Sequence, residues 1–423
     1  MKVFEPGDFA ALIGIDWADQ KHDICEQPAG NRPQSLNVIA SRPEAIHAWA
    51  TELKQRYPQQ RVAVGCELQK GPLVFALSQY DHIVLFPINP ATVARYRKAF
   101  THSGAKDDPG DARIQTDILR EHMDKLRSIT PESPAVRILA QLTQSRRKLV
   151  QDRVDLTNRL TATLKNYYPQ VLDWFQEKDT HIFADFLLKW PTLDAAKRAR
   201  KHTLMQFFQS HNARYGQVNE KRIQAIKQAI PLTGDPGVIV PNQILVEVLA
   251  GQLKGLLDVI DRINVEIKQR YRTLKDRKIF DSLPGAGPVM APRLLAAFGS
   301  NRNRYQCASE IQKYAGIAPV IKRSGNKSWT HWRYNCPKFL RQTFIEWAGE
   351  SIRYSFWANA YYEQQKAKGK PHQTIIRSLA FKWIRIVFAC WKSNTPYDES
   401  KYLASLKKRN SPLLKFAVEE NIG

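Results

Sequence analysis

Apolar residues follow two rhythms along this chain. Between residues 9 and 128 they fall in short β-type runs: Ala11-Leu12-Ile13-Gly14-Ile15, Lys21 to Gln27, Ser35 to Ala40, Val62-Ala63-Val64-Gly65-Cys66 and Ile83 to Ile88. Runs of that length, bounded by turn residues, predict strands. Ser41-Arg42-Pro43-Glu44 predicts a helix start with Ser41 as its cap. Strands interleaved with helices predict a mixed sheet flanked by helices, an α/β unit over residues 1–130.

From about 133 to 275 the rhythm lengthens to that of long polar helices. Leu249, Leu253, Leu256, Ile260, Ile263, Ile267, Tyr271 and Leu274 recur at spacings of four and three, the seam of a coiled coil. Leu142, Leu149, Leu156, Leu160, Leu164 and Tyr167 form a less regular counterpart. Paired within one chain, the two make a helical hairpin; paired between copies, they make a dimerisation arm, and the spacing allows both. Residues 190–240 predict a small helical insertion with a Pro- and Gly-rich exit from Pro231 to Pro241. A third, mostly helical unit starts near 276, which divides the chain into 1–130, 131–275 and 276–423.

Charge changes the picture from fold to partner. The chain of 423 residues carries a net charge of +24, a surplus that repels itself unless a polyanion binds. Residues 276–423 hold 25 Lys and Arg against 10 Asp and Glu, and six of the ten Trp. Cations interleaved with aromatic rings suit phosphate contact and base stacking, although most of those rings are expected in the core. The five cysteines show neither CxxC nor Cys/His ligand spacing, which argues for a reducing compartment and against structural zinc. No apolar run of membrane-spanning length and no leader-like start occurs, so a cytoplasmic protein with no membrane partner is expected.

Candidate chemistry begins with four carboxylates. Asp16 ends the first apolar run and Glu67 ends the fourth, so two strands of one sheet can bring them to a common edge. Asp108 and Asp111 lie three apart at the start of a predicted helix, on one helical face. Like charges at contact distance destabilise a fold unless a cation neutralises them. A hard divalent ion, Mg²⁺ or Mn²⁺, is the natural candidate, and the matching chemistry is displacement at a phosphodiester. Taken singly, each residue reads equally well as an ordinary carboxylate at a strand end or helix start. A first strand, a later central strand and a following helix that all carry carboxylates predict a ribonuclease-H-type architecture.

Two further motifs lie in the basic third. Leu283-Pro284-Gly285-Ala286-Gly287-Pro288 is like the turn of a helix-hairpin-helix, in which Gly285 and Gly287 let backbone N–H groups meet a phosphate. Ser324 stands in Lys322-Arg323-Ser324-Gly325-Asn326-Lys327, with Lys322, Arg323 and Lys327 to bind phosphate and Gly325 to permit close approach. Its surroundings offer charge but no evident base, and locally the segment reads as a polar loop.

Gly14-Ile15-Asp16, Glu67, Lys106-Asp107-Asp108-Pro109-Gly110-Asp111, Leu283 to Pro288 and Gly316-Ile317-Ala318-Pro319 leading to Ser324-Gly325 occur here in one order. That order resembles the DEDD transposases of bacterial insertion sequences related to the Piv-type DNA invertases. The resemblance implies a RuvC-like N-terminal domain, a helical coiled coil and a C-terminal transposase domain. It implies that Asp16, Glu67, Asp108 and Asp111 bind Mg²⁺. It further implies that Ser324 attacks a DNA phosphodiester to form a phosphoserine link, with donor and target DNA chosen by a structured bridge RNA. A homo-oligomer, dimer or tetramer, follows if the active site is assembled between subunits. Asp108 is preferred to Asp107 because it keeps the Asp-x-x-Asp spacing, and Asn335 and Arg341 are further candidates for nucleic-acid contact. Two other readings stay open: a RuvC-like junction endonuclease using activated water, and a nucleic-acid-binding protein without catalysis.

Overall fold

The computed structural model describes residues 4–30, 32–67, 71–100, 108–213 and 215–414, the side chain of Asp108 excepted. Two compact units divide it, Met1–Pro131 and Glu132–Gly423.

The first unit is built on strands β1 (Ala11–Trp17), β2 (Lys21–Pro28), β3 (Ser35–Ala40), β4 (Val62–Cys66) and β5 (Ile83–Pro87), with helices α1 (Pro43–Arg56), α2 (Pro72–Leu77), α3 (Pro90–Phe100) and α4 (Asp108–His122). The sheet order is β3-β2-β1-β4-β5. β1, β2 and β3 form an antiparallel meander, whereas β4 and β5 run parallel to β1. The mixed sheet is therefore as the apolar runs predict. Central β1 and β4 are buried along nearly their whole length, as strands covered on both faces must be. On one face Ile13, Ile15, Ile24, Val62 and Val64 pack with Ile46, Trp49 and Leu53 of α1 and with α2. On the other, Leu12, Ala63 and Phe86 pack with Leu119 of α4 and Met123 just beyond it. Ser41 does not cap α1: the N-cap position is Arg42, with no side-chain bond, and Pro43 opens the helix. Proline at that position has its φ preset and no N–H in need of an acceptor, so the expected cap is not required.

The second unit opens with α5 (Pro134–Leu164), followed by the short helices α6 (Val171–Trp174), α7 (His181–Lys189), α8 (Leu193–Arg198), α9 (Lys201–Ser210) and α10 (Gly216–Gln228), and by the long α11 (Pro236–Arg272). α5 and α11 pack against each other within the chain, so the intramolecular hairpin is present. On α11 the buried residues are Val246, Leu249, Ala250, Leu253, Leu257, Ile260, Ile267 and Tyr271. This is a heptad ladder in which Leu257 rather than Leu256 turns inward, and the rung between Ile260 and Ile267 is Asn264. That amide accepts a hydrogen bond from Arg146 Nε of α5, a polar rung in an otherwise largely apolar seam. The short helices between them close over a second core rich in rings, including Tyr168, Phe183, Phe186 and Phe208. The insertion thus starts earlier than residue 190.

The chain then runs through α12 (Arg277–Asp281), α13 (Gly287–Phe298), α14 (Ala308–Tyr314), the hairpin β6 (Val320–Ser324) and β7 (Lys327–His331), and α15 (Lys338–Ser351), α16 (Phe356–Ala367), α17 (His372–Ser393) and α18 (Glu399–Lys408). Trp347, Trp357, Trp383 and Trp391 are fully buried at its centre, so four of the six Trp counted in this third are core. No disulfide joins the cysteines of the described residues. No helix among the described residues is long and apolar enough to cross a membrane.

Candidate active site

Register brings the first two carboxylates together. β1 and β4 are parallel with Gly14 opposite Gly65 and Ile15 opposite Cys66. Asp16 and Glu67 each follow that last pair, side by side at the carboxyl ends of the two central strands, where open α/β sheets place their ligands. Both are half-buried.

α4 supplies the third. Thr116 Oγ1 accepts the Gly14 N–H at 2.9 Å and donates to the Cys25 carbonyl at 3.0 Å, tying the helix to β1 and β2. Leu119 lies over Gly65 and Met123 over the start of the sheet, so α4 runs antiparallel to β1. Its first turn, with Asp108 and Asp111, therefore stands over the strand ends that carry Asp16 and Glu67. Asp111 is only 3% exposed. Asp108 heads the helix, and Asp107 lies outside the described residues.

Two residues of this site carry no signal in the sequence reading. Arg97 of α3 donates from Nε to Asp111 Oδ1 at 2.8 Å and from Nη2 to both Asp111 oxygens. Its pKa is held above the ordinary guanidinium value, first by that hydrogen bond and then, against the opposing effect of burial, by the charges of Asp111, Glu67 and Asp16. One cation thus feels three of the four predicted carboxylates. Asp23 is the second: it pairs with Asp16 across β1 and β2, so it shares the face covered by α4, and it is buried with Lys21 Nζ at 3.2 Å. Asp23 sits in a β2 run with no distinguishing motif, and Arg97 is an ordinary helix cation by spacing. Among the described residues no three of His, Cys, Asp and Glu are already arranged to hold a metal ion; Asp111 is turned to Arg97, and the side chain of Asp108 is not described.

The remaining candidates lie in the second unit. Gly285, in the turn between α12 and α13, and Gly287, the first residue of α13, both have positive φ, +68° and +51°. A Cβ on Gly285 would stand 3.0 Å from the Glu350 backbone, whereas one on Gly287 would meet nothing within 4 Å. Gly285 is thus needed for packing against α15, and Gly287 for the turn alone. Ser324 ends β6 and faces Lys327 across a two-residue turn, Gly325-Asn326, with Gly325 at φ +54°. Glycine at the first central position is the demand of a type II′ hairpin turn. The segment is therefore a hairpin rather than the polar loop its composition suggests. Asn335 lies in the loop after β7, and Arg341 donates to the carbonyls of Arg333 and Tyr334 at 2.6 and 3.1 Å.

Two transposase family models match separate stretches of the chain. A DEDD transposase family model of the IS110 type matches residues 13–169, and the one described as "Transposase IS116/IS110/IS902 family" matches residues 277–363. The "Mini-circle putative transposase for IS117" of Streptomyces coelicolor is 28% identical over 408 residues, covering 93% of this chain and 97% of that protein. The insertion element IS116 44.8 kDa protein of Streptomyces clavuligerus is 29% identical over 383 residues, covering 89% and 93%. An IS900 protein of Mycobacterium paratuberculosis is 27% identical over 312 residues, 71% and 75% of the two chains. With the first model spanning the carboxylate unit and the second the Gly285 turn and Ser324, the chain belongs to the IS110/IS116 family of DEDD transposases, the DNA-cleaving and rejoining enzymes of bacterial insertion elements.

Proposed function

We propose that this transposase has a RuvC-like first unit in which Asp16, Glu67, Asp108 and Asp111 hold Mg²⁺ or Mn²⁺, and that Ser324 is the nucleophile. The observation that carries the metal reading is Arg97: the strand ends and the first turn of α4 together stabilise a positive charge at one place. An all-oxygen donor set of this kind suits a hard divalent ion. When bound, such an ion would supply charge against the developing negative charge of the phosphoryl oxygens. Asp16 and Glu67, placed by paired strands, would hold it together with Asp108 and with Asp111, which is turned to Arg97 here.

Ser324 Oγ attacks phosphorus and loses its proton to solvent; the bond to the 3′ oxygen breaks, and that oxygen takes up a proton as a free 3′-hydroxyl. The phosphoserine ester conserves the energy of the broken linkage, so the strand can be resealed without ATP. Hydrolysis by water would discard it. The basic third, with its Gly285 turn, supports a nucleic-acid partner, and the family resemblance supports a bridge RNA that selects donor and target DNA by pairing. Action as a dimer or tetramer in the cytoplasm belongs to the same reading.

Trapping tests it. With end-labelled element DNA and the transcript of the flanking non-coding segment, a denaturation-resistant protein–DNA adduct is expected, and Ser324→Ala should lose it. Metal-dependent nicking that survives Ser324→Ala would instead make the protein a RuvC-like endonuclease with water as nucleophile. Tight binding without scission would make it a non-catalytic binder.

Arg97 gives a check independent of activity. Arg97→Ala leaves the nearly buried Asp111 carboxylate without its partner, at a cost on the order of 2 kcal/mol in the metal-free protein. Added Mn²⁺ should then raise the melting temperature of Arg97→Ala more than that of the parent chain. An equal or smaller rise would mean that Arg97 and the ion do not compete for one place.

A further inference from the structure

The hairpin β6–β7 is built unlike the rest of the second unit. Every residue of the two strands except Val320 is exposed, and a two-stranded hairpin alone in water is marginal. Its foot is fixed instead. Arg333 Nε donates to the Ala318 carbonyl at 3.2 Å, Arg341 holds the carbonyls of Arg333 and Tyr334, and Trp332 packs against the guanidinium groups of Arg341 and Arg377. A stapled foot under two solvated strands presents a surface without burying one.

Register decides what that surface carries. Val320 pairs with His331, Lys322 with Trp329, and Ser324 with Lys327. Residues directly opposite in an antiparallel pair share a face, and side chains alternate along each strand. One face therefore carries Ser324, Lys322, Lys327, Trp329 and His331. The Trp329 and His331 rings meet edge to face at 6.3 Å. Trp329 is 42% exposed, in contrast to the four fully buried Trp of the same unit. From residue 311 to residue 345 the sequence has seven Lys and Arg and no Asp or Glu, so the whole segment complements a polyanion.

We propose that this face grips the DNA strand that Ser324 cuts: Trp329 stacks on a base unstacked from its neighbours beside the scissile phosphate, and Lys322 and Lys327 neutralise the flanking phosphates. The proposal deepens the reading of Ser324 as nucleophile and rests on it for the choice of DNA over RNA. Stacking on an exposed ring is sequence-tolerant, since every base has a π-face. That tolerance suits a face that must act on any target. Trp329 is a positioning residue, holding the backbone where the hydroxyl of the paired strand can reach it.

The test uses the full chain and a twelve-nucleotide oligothymidylate, read by tryptophan fluorescence and by affinity across a salt series. Binding should quench fluorescence; Trp329→Phe should lose most of that quench at unchanged affinity, because a ring remains. Trp329→Ala should weaken binding about tenfold. Lys322→Ala and Lys327→Ala should each lower the slope of log affinity against log salt by about 0.7. Undiminished affinity in Trp329→Ala, or an undiminished quench in Trp329→Phe, overturns the proposal. A Trp329-dependent preference for oligouridylate would assign the face to RNA and overturn it as well. Ser324→Ala should leave quench and affinity unchanged, so loss of the covalent adduct reports on the nucleophile alone and cannot be mistaken for failure of the stacking face.

Discussion

Asp16→Asn is expected to remove DNA strand cleavage by about 10³-fold or more while the fold stands. Asparagine matches the shape of aspartate and keeps a carbonyl oxygen, so the change removes charge and little else. β1 is held on both sides, antiparallel by β2 and parallel by β4, through backbone bonds that do not involve the Asp16 side chain. Cleavage should therefore vanish with a melting temperature within a few degrees of the parent chain and with oligonucleotide binding retained, since the basic surfaces lie in other residues. The rise in melting temperature on adding Mn²⁺ should shrink in parallel with activity, because one donor to the proposed ion has lost its negative charge. Strand nicking by an electrophoretic assay and a thermal melt with and without Mn²⁺ check both halves. If Asp16→Asn cleaves as the parent does, Asp16 is no part of the site.

How much of this could be read without a structure depends on whether a residue's role leaves a periodic trace. Asp16 and Glu67 are legible because each ends a buried strand, and an apolar run that stops in a carboxylate stands out. Arg97 is not, because its bond to Asp111 joins two helices through space, and nothing in the spacing of α3 separates it from a solvated helix cation. Asp23 is hidden for the opposite reason: in a strand buried on both sides, residues 22–27 mix polar and apolar side chains, and burial comes from α4 and α1 rather than from the strand's own pattern. The β6–β7 hairpin escapes because its strands bury neither face, so no alternation of apolar residues marks them. Along α11 the coiled-coil period is legible but its phase is not: Leu256 and Leu257 are both leucine, and only packing against α5 decides that Leu257 goes inward. The seam rung at Asn264 is likewise visible only once Arg146 is opposite it.

The glycines of the central strands carry the second large effect. Gly14 and Gly65 are paired across β1 and β4, and together they leave a bare strip on the sheet on which α4 lies. A Cβ at Gly14 would collide with the Ala112 carbonyl oxygen and stand 2.8 Å from the Thr116 N and Oγ1. These are mostly backbone atoms, which no rotamer change can withdraw. A Cβ at Gly65 would meet the Ile88 Cδ1 at 2.9 Å and the Leu119 Cδ1 at 3.2 Å, both ends of flexible side chains. Gly14→Ala is thus expected to destabilise the first unit by about 3 kcal/mol or more, and Gly65→Ala by about 1 kcal/mol. The larger change also breaks the Thr116 link from α4 to β1 and β2, moving the first turn of the helix, and Asp111 with it, away from Asp16. Cleavage in Gly14→Ala should therefore fall further than its folded fraction does, at a temperature where the protein is still folded. Hydrogen exchange at the Ala112–Thr116 amides, which should lose protection in Gly14→Ala and keep it in Gly65→Ala, measures the displacement directly. Equal stability and equal cleavage in the two variants would show that the close approach of α4 to β1 is not what places Asp111.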